Sequence, residues 1–166
     1  MSQKDLETLF GKGYQLKKMR QLTQPSDFAA EETITIEANG KKIEKIRVIG
    51  PLRQKTQPEL SITDVFGLGI DINNVSMAIK GPKGEIEYRK GPIIAYRHIH
   101  CTPDEAKGLG LKNGQFVSVK IDGERGVVFN NVKIRVRDDY KLCLHLDTDE
   151  GNAAGINKTG EGVIIL

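Results

Sequence analysis

Short alternating runs of apolar and polar residues, broken by glycine-rich turns, dominate the chain. Thr33-Ile34-Thr35-Ile36-Glu37 leads into Asn39-Gly40 and then into an apolar run over 43–49, which predicts a tight β-hairpin. A second hairpin is expected from 75–79 and 85–88, joined by Gly81-Pro82-Lys83-Gly84. Residues 115–136 alternate through Phe116, Val117, Val119 and Ile121, turn at Asp122-Gly123, and return through Val127, Val128 and Phe129. They then run again as Val132, Ile134 and Val136. A last apolar strand over 162–166 needs a partner to cover it. Many short strands with glycine turns predict barrels or a sandwich rather than a parallel α/β sheet.

Helices are expected to be few and short. Thr102-Pro103-Asp104-Glu105 offers an N-cap, proline at the first helical position and two acids in the first turn, and Gly108 should end the helix. Ser61 with Asp64, and Ser2 with Asp5, begin segments of the same kind that end at Gly67 or Gly69 and at Gly11. This weak internal repeat predicts a mainly β protein made of two similar small antiparallel β-barrel domains with short capping helices. The boundary falls near Gly91-Pro92, giving domains 1–92 and 93–166.

Composition narrows the function classes. The 166 residues contain 25 Lys plus Arg against 22 Asp plus Glu, a formal net charge of only +3. With no Trp, four Tyr and five Phe, stacking platforms for single-stranded nucleic acid are scarce. An OB-like nucleic-acid reading would have to use Lys41, Lys42, Lys45 and Arg47, and it ranks last. No apolar run is long enough to span a membrane, and residues 1–5 open no signal peptide. Two cysteines, Cys101 and Cys143, are too few for a disulfide scaffold, so a reducing cytoplasm is expected.

Two of the three histidines stand in Arg97-His98-Ile99-His100, read as a strand running into the Thr102 helix. Residues two apart on a strand share a face, so both imidazoles can reach one metal, or one each of two adjacent metals. His145 lies on a similar strand, where it shares a face with Cys143 and Asp147. The alternative is that these histidines are half-buried polar residues satisfied by backbone carbonyls, and that Cys143 is a small buried thiol. The loop over 50–60 carries Arg53, Gln57 and Glu59. Arg53 fits phosphate or carboxylate through its planar fork, and Glu59 is a possible oxygen ligand or a partner of a ligating histidine. A solvated loop is the simpler reading. Arg125, in Asp122-Gly123-Glu124-Arg125-Gly126, is read first as part of a turn and only second as an anion ligand. Asp147-Thr148-Asp149-Glu150 is read as a helix cap before a cation site.

Gly50-Pro51-Leu52-Arg53 with Gln57 and Glu59, Arg97-His98-Ile99-His100, Gly123-Glu124-Arg125-Gly126 and the segment from His145 to Glu150 occur in an order and spacing that resemble one family. It is that of the PduL-type phosphotransacylases (phosphate propanoyltransferases), and the similarity covers nearly the whole chain. The resemblance implies transfer of an acetyl or propanoyl group between coenzyme A and inorganic phosphate, on two β-barrels that hold a pair of Zn²⁺ ions. It implies Glu59, His98, His100 and His145 as metal ligands and Arg53 as the catalytic, phosphate-holding residue. Gln57, Arg97 and Arg125 follow as further substrate-binding residues. It also implies acyl-CoA and acyl phosphate as substrates, a homodimer, and a cytoplasmic setting, free or inside a bacterial microcompartment for propanediol degradation. In the family a first His-x-His precedes the first capped helix, and here Met1-Ser2-Gln3-Lys4-Asp5 aligns with Cys101-Thr102-Pro103-Asp104-Glu105. That first motif is therefore expected upstream of Met1, together with two metal ligands and one strand of the second barrel. The competing expectations are a zinc hydrolase of thioesters or acyl phosphates and a truncated, non-catalytic metal-binding barrel.

Overall fold

The computed structural model describes residues 1–71 and 76–165. Its chain divides into two compact units, Met1–Ile94 and Ala95–Leu166, each with its own core.

The first unit begins with α1 (Gln3–Phe10), capped by the Ser2 hydroxyl, which accepts the Asp5 N–H. Helix α1 buries Leu6, Leu9 and Phe10. Strand β1 (Lys18–Gln21) follows, then the long hairpin β2 (Phe28–Ala38) and β3 (Lys41–Gly50). Asn39 and Gly40 both take positive φ (51° and 72°), the left-handed pair that a two-residue hairpin turn requires. Strand β2 alternates Ile34, Ile36 and Ala38 inward. It pairs β3 along its length, β1 near Phe28 and β5 (Met77–Lys80) near Thr35, all antiparallel. Strand β6 (Glu85–Tyr88) then pairs β5. Gly81 lets the β5–β6 turn close on α1, because a Cβ there would lie 2.5 Å from the Leu9 carbonyl oxygen. The remaining elements are β4 (Glu59–Leu60), α2 (Ile62–Leu68) and β7 (Ile93–Ile94), with β4 and β7 in a parallel pair. Helix α2 carries a full capping box between Ser61 and Asp64 and ends at Gly69 in the left-handed conformation.

The second unit is built on a five-stranded sheet. Strand β8 (His98–Cys101) leads into α3 (Pro103–Gly108), capped by a Thr102–Glu105 box. Strands β9 (Phe116–Ile121) and β10 (Val127–Val136) form a hairpin, followed by β11 (Cys143–His145), α4 (Thr148–Ala153) and β12 (Val163–Ile165). The sheet order is β11-β8-β10-β9-β12. Ile99, Cys101, Val119, Val132 and Ile134 fill the core on one face.

Several expectations change. The mainly β class holds, but antiparallel barrels do not describe the ladders. Strand β8 runs parallel to β10, β4 runs parallel to β7, and among the described residues the second sheet is an open path with edges at β11 and β12. The apolar run over 93–100 is two strands in different sheets, since β7 pairs β4 while β8 pairs β10 and β11. Val127 to Val136 is one strand with a register shift between Phe129 and Val132, where Asn131 takes φ 57°, rather than two strands. The closing strand finds its partner in β9. Val75 and Leu166, included in the expected strands, lie outside the described residues.

Candidate metal centre

Strand β8 sends Ile99 and Cys101 into the core and leaves His98 and His100 on the opposite face. Strand β11 lies antiparallel beside it, with His145 opposite His98 and Cys143 opposite His100. Cross-strand partners share a face, so the third imidazole joins the first two. The ligand nitrogens of His98, His100 and His145 all lie within 4.8 Å of one another. His98 and His145 stack with ring centroids 5.0 Å apart, while His100 lies 4.5 Å from His98 and 4.7 Å from His145.

The donor set fits a metal. His100 is only 8% exposed, yet neither of its ring nitrogens has a hydrogen-bond partner. Leaving a buried polar group unpaired costs on the order of 1–3 kcal/mol, and a bound cation would use one such lone pair. Burial, then the neighbouring His145 and His98, push His100 down from 6.5 to about 3, so it stays neutral and its lone pair stays available at neutral pH. His98 Nδ1 lies 2.7 Å from the Tyr96 carbonyl oxygen, the kind of contact that fixes a ligating ring and leaves the other nitrogen for a metal. Cys143 stands next to the cluster, but its thiol contacts the Leu144 carbonyl oxygen and burial pushes its pKa up.

The other residues expected to carry function divide between the units. In the first, Arg53 and Gln57 line a groove of about 920 Å³ with Lys4, Lys55, Arg89 and Lys90, against the carboxylates of Asp5 and Glu87. The Arg53 guanidinium is about half exposed, 4.0 Å from Asp27, and its backbone N–H donates to the Met1 carbonyl. Glu59 is exposed at the start of β4. In the second unit, Arg97 Nε meets Glu150 at 2.6 Å, Nη1 donates to the Asn130 carbonyl, and the guanidinium lies over Phe129. Arg125 Nε donates to the Ala153 carbonyl at the end of α4. The acidic run from Asp147 to Glu150 is a capping box, as its spacing predicts.

The structure also adds residues that sequence reasoning missed. Lys133 and Arg135 of β10 stand in register beside His98 and His100, and Tyr140 stacks on His100. Only the parallel β8–β10 register puts the two cations there, and no hairpin turn signals that register.

A sequence profile for phosphate propanoyltransferase matches residues 1–157. The phosphate propanoyltransferase of Thermotoga maritima is 45% identical over 176 residues, covering all of this chain and 83% of the relative. Those of Lachnoclostridium phytofermentans and Priestia megaterium are 44% and 46% identical, again over all of this chain and 82% and 81% of theirs. Similarity of this extent, spanning the β8–β11 histidines and the Arg53 loop alike, places the chain in the phosphate propanoyltransferase family of acyltransferases.

Proposed function

We propose that the protein moves a short acyl group, propanoyl or acetyl, between coenzyme A and inorganic phosphate, with Zn²⁺ at the three-histidine centre. The observation that carries this reading is a buried, unpaired imidazole within a cluster of three, in a member of an acyltransferase family that acts on phosphate. In the direction of acyl phosphate, a phosphate oxygen attacks the thioester carbonyl carbon. The new C–O bond forms as the C–S bond breaks, and coenzyme A departs as the thiol, taking up the proton that the attacking hydrogen phosphate gives up. A divalent metal supplies Lewis-acid polarisation of a carbonyl or a lowered thiol pKa.

The chain's own residues have distinct parts. His98, His100 and His145 present their ring nitrogens to one another, and buried His100 does so without first having to lose a proton. Arg53 offers its fork to the attacking phosphate, neutralising charge and fixing orientation. Gln57 adds a neutral donor to the same groove, and the groove's five cations suit the phosphates of coenzyme A. Glu59, exposed at the start of β4, offers a carboxylate as a further metal ligand. Arg97 and Arg125 rank behind Arg53 for substrate, because each already bonds within its own unit.

The test is formation of the thioester from acyl phosphate and coenzyme A by the zinc-loaded chain. Turnover that a chelator removes and zinc restores is expected, and Arg53→Ala should reduce it about 100-fold, the scale for deleting one charge-stabilising donor. Loss of acyl-CoA at an equal rate without phosphate would replace this reading with a thioester hydrolase. A zinc-binding chain without turnover on any acyl phosphate would replace it with a non-catalytic metal-binding domain.

A further inference from the structure

The three imidazoles are not held in the same way. Ligating histidines ordinarily use their second nitrogen to hydrogen-bond a carbonyl or carboxylate, which fixes the ring. His98 has such a contact with the Tyr96 carbonyl oxygen. His100 has none on either nitrogen, although it is buried. Its ring lies instead against Tyr140, with centroids 3.8 Å apart and planes 15° from parallel. The guanidinium carbon of Arg137 covers Tyr140 in turn, 4.2 Å from the ring centroid, and Arg137 is ion-paired with Asp139. The backbone locks this stack to the end of β8. Arg137 N–H donates to the Cys101 carbonyl at 3.1 Å, and Tyr140 N–H donates to the Arg137 carbonyl at 3.2 Å.

We propose that Tyr140 is a positioning residue of the metal centre, holding the His100 imidazole by its face where other ligating histidines are held by a hydrogen bond. The proposal rests on reading the three-histidine cluster as a metal site. A ring gripped by its face cannot rotate freely about χ2, so its ligating nitrogen is aimed before the metal arrives and less ordering is lost on binding. Metal ligation also draws electron density from the imidazole. The negative face of the phenol ring then faces a more positive partner, and the stack favours the loaded state over the empty one. Arg137 and Asp139 keep Tyr140 from swinging away. None of this uses the phenol hydroxyl.

The test titrates Co²⁺ into the chelator-treated chain and its variants, reading affinity by competition with a coloured chelator and ligand geometry from the visible d–d bands. Tyr140→Phe should match the parent in both. Tyr140→Ala and the bulkier Tyr140→Leu should bind Co²⁺ about 10–100-fold more weakly, the usual cost of removing an outer-shell support, with altered d–d bands. Tyr140 is only partly buried, so both variants should keep the parent's metal-free circular dichroism. Parental affinity and bands in Tyr140→Ala and Tyr140→Leu would overturn the positioning role and leave the metal site standing. A Tyr140→Phe variant as weak as Tyr140→Ala would also overturn it, by moving the effect to the hydroxyl. A parent chain that binds no Co²⁺ would overturn the metal reading and this proposal together.

Discussion

His100 combines burial with neutrality, and the combination has a pH signature. Unfolded, it takes up a proton near 6.5; folded and metal-free, burial and then His145 and His98 hold it neutral down to about 3. Between those values the unfolded chain binds the extra proton, so folding free energy falls as pH falls, while above about 6.5 this residue contributes no slope. Urea midpoints of the metal-free protein should drop from about pH 7 to about pH 4, with a shallower drop in His100→Gln; identical slopes would remove His100 from the account. At this scale the sequence was informative where local spacing decides the outcome. The i, i+2 step in His98-Ile99-His100 fixes a shared face on any strand, and His145 was open to the same reading. It was silent on Tyr140 and Arg135, whose places depend on a ladder and a turn that nothing in their immediate neighbours specifies.

The elements around the cluster owe their ends to side chains. Thr102, two residues beyond His100, accepts the Glu105 N–H, and Glu105 accepts the Thr102 N–H in return. This box stops β8 and starts α3 within one residue. Replacing Thr102 with Ala should cost about 1 kcal/mol, read as a lower urea midpoint; an unchanged midpoint would mean that the short helix is held by packing alone. Glu150 does similar work for α4, accepting from Asp147 N–H with one oxygen while the other meets Arg97. Such boxes are legible in sequence because they are local: Ser61, Thr102 and Asp147 each stand three residues before an acid. The Asn39-Gly40 hairpin is legible for the same reason. Strand β1 was missed because all four of its residues are exposed and carry no alternation. The parallel pairs were missed because a turn sequence encodes only antiparallel return.

For the whole molecule, the two cores matter more than the mild net charge. The second unit's apolar cluster, which includes Ile99, Cys101 and Ile134, lies behind the histidine face. A metal that binds only the folded form stabilises it by mass action, about 2.7 kcal/mol at a hundredfold excess over the dissociation constant. Amide exchange should therefore slow in β8, β10 and β11 when zinc is added; equal exchange with and without zinc would show that the cluster holds no ion. Strand β8 is flanked on one edge by β10 and on the other by β11, and both come after it in sequence. On the ribosome, His98 and His100 emerge first, on a strand with no partner on either side. The third imidazole follows only at residue 145, after β9 and β10 have been made. Any ion held by all three imidazoles can therefore be held only once β11 has been made, and a nascent chain that stalls before β11 lacks the third ligand.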